Sequence, residues 1–316
     1  MAPDSSFSVV IPTLNSGKTI GELLSAIKAQ TVKPEMVLVI DSDSSDGTPR
    51  LAAEAGARVE SIAREKFDHG GTRTLAGKQT RGEFVVFLTS DALPVEADAF
   101  EKLLAPFKSA AVGAVYGRQV PRDEASPQAA HLREFNYPPV TYVRGYKDRT
   151  DCGIKTPFLS NSFCAYRRSA LEGIGWFKEG LILGEDICAG AKLLLAGYKI
   201  AYAADAVVRH SHNYSVWREF KRYFDIGVFH RRDTWILETF GHAEGEGLKY
   251  LLSGMGFLRA KGRSALIPEL LLRAAVKYAG YRLGYSYKVL PESLITRLSM
   301  HRAWWNGKER KSSGEL

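Results

Sequence analysis

Three short apolar segments near the start of the chain each end abruptly in polar or acidic side chains. Residues 7–12, 36–40 and 84–88 have the length and the continuous hydrophobicity of strands that are buried on both faces of a sheet. Between the first two, residues 20–27 carry apolar side chains at the spacing of one helix face. Because strands alternate with helices, the sequence predicts an α/β fold with a mostly parallel sheet flanked by helices.

The rest of the chain predicts further elements. Thr48 can cap a helix that has Pro49 at its first position and ends at Gly56. Residues 119–157 are rich in Pro, Arg and Tyr without periodicity, which is typical of a long functional loop. We also expect strands at 58–62, 162–167, 199–203 and 206–209, and helices at 72–81, 185–196 (ended by Gly197), from 216 onward, 246–260 and 265–285.

Length and charge limit the class of protein. The chain has 316 residues, a length that allows one large or two modest domains. Its formal charge is +8. The positive charge favours a polyanionic partner such as a nucleotide phosphate, nucleic acid or an anionic membrane face, although solubility alone would also explain it. No helix-turn-helix, RRM or zinc-finger pattern supports nucleic-acid binding. A dinucleotide-binding fold is disfavoured because no G-x-G-x-x-G follows the first strand.

Cysteine usage and the N-terminal sequence indicate the compartment. The three cysteines are odd in number and lack C-x-x-C spacing, which argues against a disulfide framework or a zinc cluster and fits a reducing cytosol. Residues 1–7 lack the regions of a signal peptide. No window approaches the roughly 18 apolar residues of a membrane span. We therefore expect a cytoplasmic protein, which can still contact a membrane surface.

Asp91 follows the strand at 84–88, directly after Thr89 and Ser90. Ligands of open α/β sheets bind beyond the carboxyl ends of such strands. A carboxylate there can hold a divalent cation against a phosphate. The alternative is that Asp91 caps a helix starting near Pro94, and the local residues favour neither interpretation.

Two further acidic clusters occupy comparable positions. Asp41, Asp43 and Asp46 follow the second strand, and Glu185 and Asp186 open a helix. Gathered carboxylates favour a cation, such as a metal bound to a nucleotide diphosphate, and Asp41 can accept a hydrogen bond from a base N–H. Asp186 can act as a general base toward an acceptor hydroxyl. Acidic residues are also common in the first turn of any helix, and position alone favours that simpler interpretation.

Histidine and glycine residues add two candidates. His210 and His212 lie two residues apart at a strand end, so that in an extended segment both rings point the same way. Either one can complete the ligand shell of a cation held by Asp91, or both can be packing histidines. In the segment 67–73, paired glycines and Arg73 at a helix start can approach a phosphate. An ordinary turn with a solvated Arg is the alternative.

Four segments follow one another along the chain: VVIPTLN at 9–15, VIDSDSSDGT at 39–48, LTSDA at 88–92 and GED at 184–186. In this order they resemble the family 2 glycosyltransferases of GT-A fold, and the resemblance covers about residues 7–235. A second set looks like the bacterial rhamnosyltransferase branch of that family. This set is FDHGGTR at 67–73, RHSHNYS at 209–215, RYFDIG at 222–227, YRLG at 281–284 and LSMH at 298–301.

The resemblance implies a GT-A domain at 1–235 and a C-terminal helical region at 236–316. It also implies an inverting transfer that depends on Mg²⁺ or Mn²⁺. Thr89 stands where the family's D-x-D motif has its first Asp, so only one carboxylate of that motif is present. The implied site residues are Asp186 and Glu185 for catalysis; Asp91, His210 and His212 for the metal; and Pro12, Thr13, Asn15, Asp41, Asp43, His69, Arg73, Ser90 and Asp91 for the nucleotide sugar.

The implied reaction moves L-rhamnose from dTDP-L-rhamnose to a hydroxyl of a lipid-linked cell-surface glycan. One rival is a family 2 transferase with a UDP- or GDP-hexose donor, and another is a catalytically silent GT-A protein that binds nucleotide or glycan. Basic and aromatic residues of the C-terminal region would suit the cytoplasmic face of the inner membrane, and solvated charges on a packing subdomain are the alternative. These residues are Lys249, Arg259, Lys261, Arg263, Arg273, Lys277, Tyr281, Tyr285, Tyr287, Trp304, Trp305, Arg310 and Lys311.

Overall fold

The computed structural model of the protein describes residues 6–242 and 245–306. Residues 1–5 of the segment tested for a signal peptide, and Arg310 and Lys311 of the basic C-terminal set, lie outside the described residues. Within the described part, strands form one sheet. They are β1 Phe7–Thr13, β2 Met36–Asp41, β3 Arg58–Ser61, β4 Phe84–Leu88, β5 Leu93–Pro94, β6 Val112–Val120, β7 Tyr142–Arg144, β8 Phe163–Arg167 and β9 Lys199–Arg209.

The sheet is mixed, and its two longest pairings, β6–β9 and β1–β2, are parallel. Its order is β3-β2-β1-β4-β8-β6-β9-β5, with β7 also paired to β9. The pairs β1–β2, β1–β4, β2–β3 and β6–β9 are parallel. β8 runs antiparallel to β4 and β6 because the chain stays at the carboxyl edge after β6 and starts β8 there. The predicted mostly parallel α/β architecture is confirmed.

Both faces of the sheet are buried, which explains the continuous apolar segments. In β1, Val10 packs into one apolar cluster, while Val9 and Ile11 pack into a second cluster across the sheet. In β4, Val85 and Phe87 alternate in the same way with their neighbours. Side chains of a strand alternate between faces, so two covered faces require apolar residues at every position.

Helices cover the two faces and make up the C-terminal region. Gly56 and Gly197 have positive φ angles of +84° and +88° just beyond two helix ends, as predicted. The helices are α1 Ile20–Lys28, α2 Thr48–Glu54, α3 His69–Gln79, α4 Ala99–Leu104, α5 Pro127–Asn136, α6 Arg149–Cys152, α7 Arg168–Gly173, α8 Glu185–Leu195, α9 Val216–Arg232, α10 Thr234–Phe240, α11 Glu246–Ala260, α12 Ile267–Tyr285, α13 Glu292–Leu298 and α14 Arg302–Asn306.

Three local predictions were wrong. Thr48 is the first residue of α2 rather than its cap, because Gly47, with a φ angle of +82°, forms the preceding turn. The segment 199–209 is one strand, and a register shift opposite Gly117 and Arg118 absorbs the irregularity that suggested two strands. The segment 119–157 is not a continuous loop. It contains α5, which starts after the Ser126 cap.

The C-terminal helices pack closely onto α9. Glycines make this possible, since a Cβ at Gly284 would come 1.9 Å from the Phe224 carbonyl oxygen. Asp225 of α9 accepts hydrogen bonds from the backbone N–H groups of Met300 (2.9 Å) and His301 (3.1 Å). The domain boundary between 235 and 236 stays a prediction, because α9 and α12 pack together across it. None of the described helices is long and apolar enough to cross a membrane.

Candidate active site

The carboxyl ends of β1, β2, β4, β6 and β9 meet at one edge of the sheet, together with the start of β8. Thr13 and Asp41, the last residues of β1 and β2, are register partners. The Thr13 hydroxyl donates a 2.7 Å hydrogen bond to the Asp41 carboxylate. Asp41 also accepts bonds from the backbone N–H of Ser44 at 2.8 Å and from its hydroxyl at 2.6 Å. The predicted nucleoside-side residues therefore meet in a buried polar network.

More exposed residues surround this network. Asn15 and Asp43 have left-handed backbones, with φ angles of +50° and +61°, and both side chains are exposed. The Asn15 side chain accepts a 3.0 Å hydrogen bond from the N–H of Ser45. Ser16 and Ser90 share a 2.7 Å hydrogen bond, which joins the loop after β1 to the loop that carries Asp91. Pro12 is half-buried at the end of β1.

Asp91 does not cap a helix. The chain continues from it into β5, and the next helix, α4, begins only at Ala99. The Asp91 carboxylate instead lies 3.4 Å from His210 Nε2 and 3.7 Å from His212 Nε2. One ligand atom from each of the three side chains lies within 4.8 Å of the others, a spacing that could hold a metal ion.

The electrostatics of this cluster favour a negative carboxylate. Burial would raise the pKa of Asp91, but the interactions of its carboxylate with His210 and His212 outweigh burial and hold the pKa well below its usual range. Burial and the neighbouring His210 lower the pKa of His212 to about 4. A carboxylate beside a neutral imidazole is the protonation pattern that a divalent cation requires.

Gln119, which sequence reasoning missed, orients His210. The buried Gln119 side chain accepts a hydrogen bond from an Arg133 N–H at Oε1, and its Nε2 donates to Ser160 Oγ at 3.0 Å. An arginine can only donate, so the atom that faces it must be oxygen. His210 Nδ1, 2.8 Å from the same oxygen, must then donate, so that in the neutral imidazole the lone pair lies on Nε2, the nitrogen that faces Asp91. This outer-shell arrangement is typical of metal-binding histidines.

The two predicted catalytic carboxylates start α8 and have different surroundings. Glu185 is 5% exposed, and its carboxylate lies 3.3 Å from Arg73 and accepts a 3.1 Å bond from the Asn161 amide. Asp186 is partly exposed and accepts a 3.4 Å bond from the backbone N–H of Asn161. Gly184, with a φ angle of +84°, makes the turn that places both acids at the helix start.

These surroundings separate the pKa values of the two acids. Burial and the charge of Glu185 raise the pKa of Asp186 to about 7. For Glu185, burial acts in the same direction, but the Arg73 charge outweighs it and lowers the pKa. Glu185 is therefore the stable anion, and Asp186 is the group able to exchange a proton near neutrality.

The start of α3 differs from the predicted phosphate-binding turn. The Gly71 N–H is occupied by the Asp68 carboxylate at 2.6 Å, and a Cβ at Gly70 would come 2.0 Å from the Lys178 carbonyl oxygen. These glycines therefore serve helix capping and close packing. Arg73 is 6% exposed and faces Glu185, and His69 packs edge-to-face on His301 of the C-terminal region. That His69 and Arg73 contact a nucleotide sugar stays a prediction.

Comparisons with known proteins identify the family of the chain. The model of the family described as glycosyl transferase family 2 matches residues 8–175. The O-antigen chain rhamnosyltransferase RfbN of Salmonella typhimurium is 44% identical over 98% of this chain and 99% of its own length. The O-antigen chain rhamnosyltransferase WbaN of Salmonella anatum is 43% identical over 98% and 99% of the two chains.

Solved structures show the same fold at low sequence identity. A mannosyltransferase from Pyrobaculum calidifontis, in complex with GDP-Man and Mn²⁺, superposes with a TM-score of 0.58 at 20% identity over 97% of this chain and 87% of that chain. S. aureus TarS residues 1–349 with UDP gives a TM-score of 0.53 at 21% identity over 90% and 91% of the two chains. The GT-A fold implied by the sequence resemblance is confirmed.

Proposed function

The chain belongs to glycosyltransferase family 2, and we propose that it transfers L-rhamnose from dTDP-L-rhamnose to a hydroxyl of a lipid-linked cell-surface glycan. The observation that carries this proposal is the 44% identity to an O-antigen rhamnosyltransferase over 98% of the chain. The buried network of Thr13 and Asp41 supports a nucleoside site at the ends of β1 and β2. Asp91 and Asp186 lie at the same edge, where a donor diphosphate and an acceptor would meet.

Asp186 is the general base of the proposed mechanism. It takes the proton of the acceptor hydroxyl, and the acceptor oxygen forms a bond to the anomeric carbon of the donor. The bond from that carbon to the diphosphate oxygen breaks in the same displacement, and its electron pair leaves with dTDP. This single displacement inverts the anomeric configuration. Glu185, paired with Arg73, holds the start of α8 and raises the proton affinity of Asp186.

The donor set of Asp91, His210 and His212 fits a divalent metal ion. Two imidazoles beside one carboxylate favour Mn²⁺, with Mg²⁺ as the alternative. When bound, such an ion neutralises negative charge on the departing diphosphate. Asp91, His210 and His212 would hold the ion, and the hydrogen bond to Gln119 fixes the orientation of the His210 ring.

A donor panel tests the proposal. Thermal shifts of the purified protein with dTDP-L-rhamnose, UDP-hexoses and GDP-hexoses, each with and without Mn²⁺, should be largest for dTDP-L-rhamnose with Mn²⁺. A larger shift with a UDP- or GDP-hexose would move the assignment to that donor. Donor binding without either hydrolysis or transfer would identify a catalytically silent protein.

The role of Gln119 can be tested through metal affinity. Gln119→Leu removes the acceptor for His210 Nδ1, so we expect Mn²⁺ affinity in the presence of dTDP to fall by about 10- to 100-fold. Titration followed by electron paramagnetic resonance measures this directly. Gln119→Glu retains an oxygen acceptor and should stay within a few-fold of wild type. If Gln119→Leu bound Mn²⁺ as tightly as wild type, Gln119 would have no role in metal binding.

We also place the enzyme in the cytoplasm, at the inner face of the inner membrane. The three unpaired cysteines fit a reducing compartment. The proposed lipid-linked acceptor would be presented at the membrane surface.

A further inference from the structure

The outer face of α12 exposes an unusual amount of apolar surface. The opposite face is buried against α9, where Gly280 and Gly284 permit close backbone contact. On the outer face, the exposed fractions are 47% for Leu271, 55% for Leu272 and 64% for Tyr278. A helix of a water-soluble protein normally carries polar side chains on this side.

Neighbouring elements extend this apolar character. In α11, which packs beside α12, Leu248 and Leu252 lie one turn apart and are 62% and 56% exposed. Val289, in the turn after α12, is 82% exposed. We call these residues, together with Leu271, Leu272, Tyr278 and Leu283, the α11–α12 surface.

The excess of positive charge lies in the C-terminal part of the sequence. Residues 1–245 contain 30 basic and 30 acidic side chains, whereas residues 246–316 contain 13 basic and 5 acidic ones. The whole excess of +8 therefore lies in the part of the chain that includes α11 and α12. Such a distribution attracts an anionic surface to one region of the molecule.

The end of α11 and the turn that follows it carry three exposed basic side chains. Arg259, Lys261 and Arg263 are exposed, and none forms an ion pair with another residue in the described ranges. By contrast, Arg273 and Lys277, which the sequence suggested for a membrane face, form ion pairs with Glu219 at 3.0 and 3.3 Å. These two residues hold α12 on α9.

We propose that the α11–α12 surface and the basic segment 259–263 dock on an anionic lipid bilayer. The leucines and Tyr278 would enter the interface while the basic side chains contact lipid headgroups. The inference deepens the proposed function, since it rests on the lipid-linked acceptor for its biological purpose. Its test measures binding alone and requires no glycosyl transfer.

Vesicle co-sedimentation of the full-length protein is the test. We expect binding to phosphatidylcholine vesicles that contain phosphatidylglycerol, little binding to pure phosphatidylcholine, and weaker binding at high salt. Replacing Arg259, Lys261 and Arg263 together by Ala should weaken binding by on the order of a hundredfold. The double change Leu272→Asp and Tyr278→Asp should weaken it at least tenfold. Leu195→Asp, at a site 51% exposed on α8, is the matched control and should bind like wild type.

Three outcomes would overturn the inference. The first is that the wild-type protein does not sediment with anionic vesicles at low salt, and the second is that both variants bind like wild type. The third is that light scattering shows a wild-type dimer that the double Asp variant dissociates, while neither protein binds vesicles. Unchanged thermal shifts with donor confirm that the variants are folded. Vesicle binding by a protein that transfers no rhamnose would refute the proposed function and leave the docking surface in place.

Discussion

Asp186→Asn is expected to lower the rate of rhamnosyl transfer by about 10²- to 10⁴-fold, the usual contribution of a general base. The physical reason is that an amide of the same shape cannot take the acceptor proton. Steady-state transfer with dTDP-L-rhamnose measures the loss, and the thermal shift with donor should stay within the wild-type range. Asp205→Asn, at an exposed position of β9, is the control and should keep full activity.

The pH profile gives an independent check on this assignment. Burial and the charge of Glu185 raise the pKa of Asp186 to about 7. A base must be deprotonated, so kcat/KM should be maximal above this pKa and fall as the pH is lowered through it. The residual activity of Asp186→Asn should lack this acidic limb. Near-normal turnover of Asp186→Asn, or an unchanged fall of its kcat/KM at low pH, would show that another group is the base.

Asp91→Asn is expected to lower transfer by at least about a hundredfold, more than the loss expected for an outer-shell residue. The change replaces the only carboxylate of the Asp91, His210 and His212 cluster by a neutral amide oxygen, which is a weaker ligand for a divalent cation. The variant should also lose the additional thermal shift that Mn²⁺ produces with donor, while the shift without metal is retained.

Chelation and histidine variants complete the experiment. EDTA should abolish wild-type transfer, and Mn²⁺ should restore it. Single changes His210→Ala and His212→Ala, compared by Mn²⁺ titration, show which imidazole binds more strongly. Full wild-type activity in EDTA would disprove a metal role for this cluster.

Much of the fold was predictable because local pattern and burial agree. The segment 84–88 is apolar throughout, and its strand is buried on both faces. The positions of Asp41, Asp91 and Asp186 followed from strand ends and a helix start. A strand was predicted at 162–167 and is observed at Phe163–Arg167. Its antiparallel direction was not predicted, because direction depends on where the preceding chain crosses the sheet.

Contacts between residues that are distant in the chain were harder to predict from the sequence. Gln119 has no motif around it, and its role appears only where β6 brings it to His210, 91 residues further along the chain. The ion pairs of Arg273 and Lys277 with Glu219 could not be predicted either, because the sequence does not show whether a basic side chain is solvated or paired. The exposed leucines of α12 could not be told apart in the sequence from the apolar residues with which the same helix packs on the core.

The sequence by itself determined the α/β architecture, the edge of the sheet that carries the site, and the family. Only the tertiary structure showed how the surroundings of the two adjacent acids differ. Glu185 and Asp186 are adjacent in the chain, yet Arg73 stabilises the charge of the first, while burial and the first acid's charge favour protonation of the second. Periodicity reports whether a position is buried, whereas a pKa or a ligand set depends on which distant groups share that space.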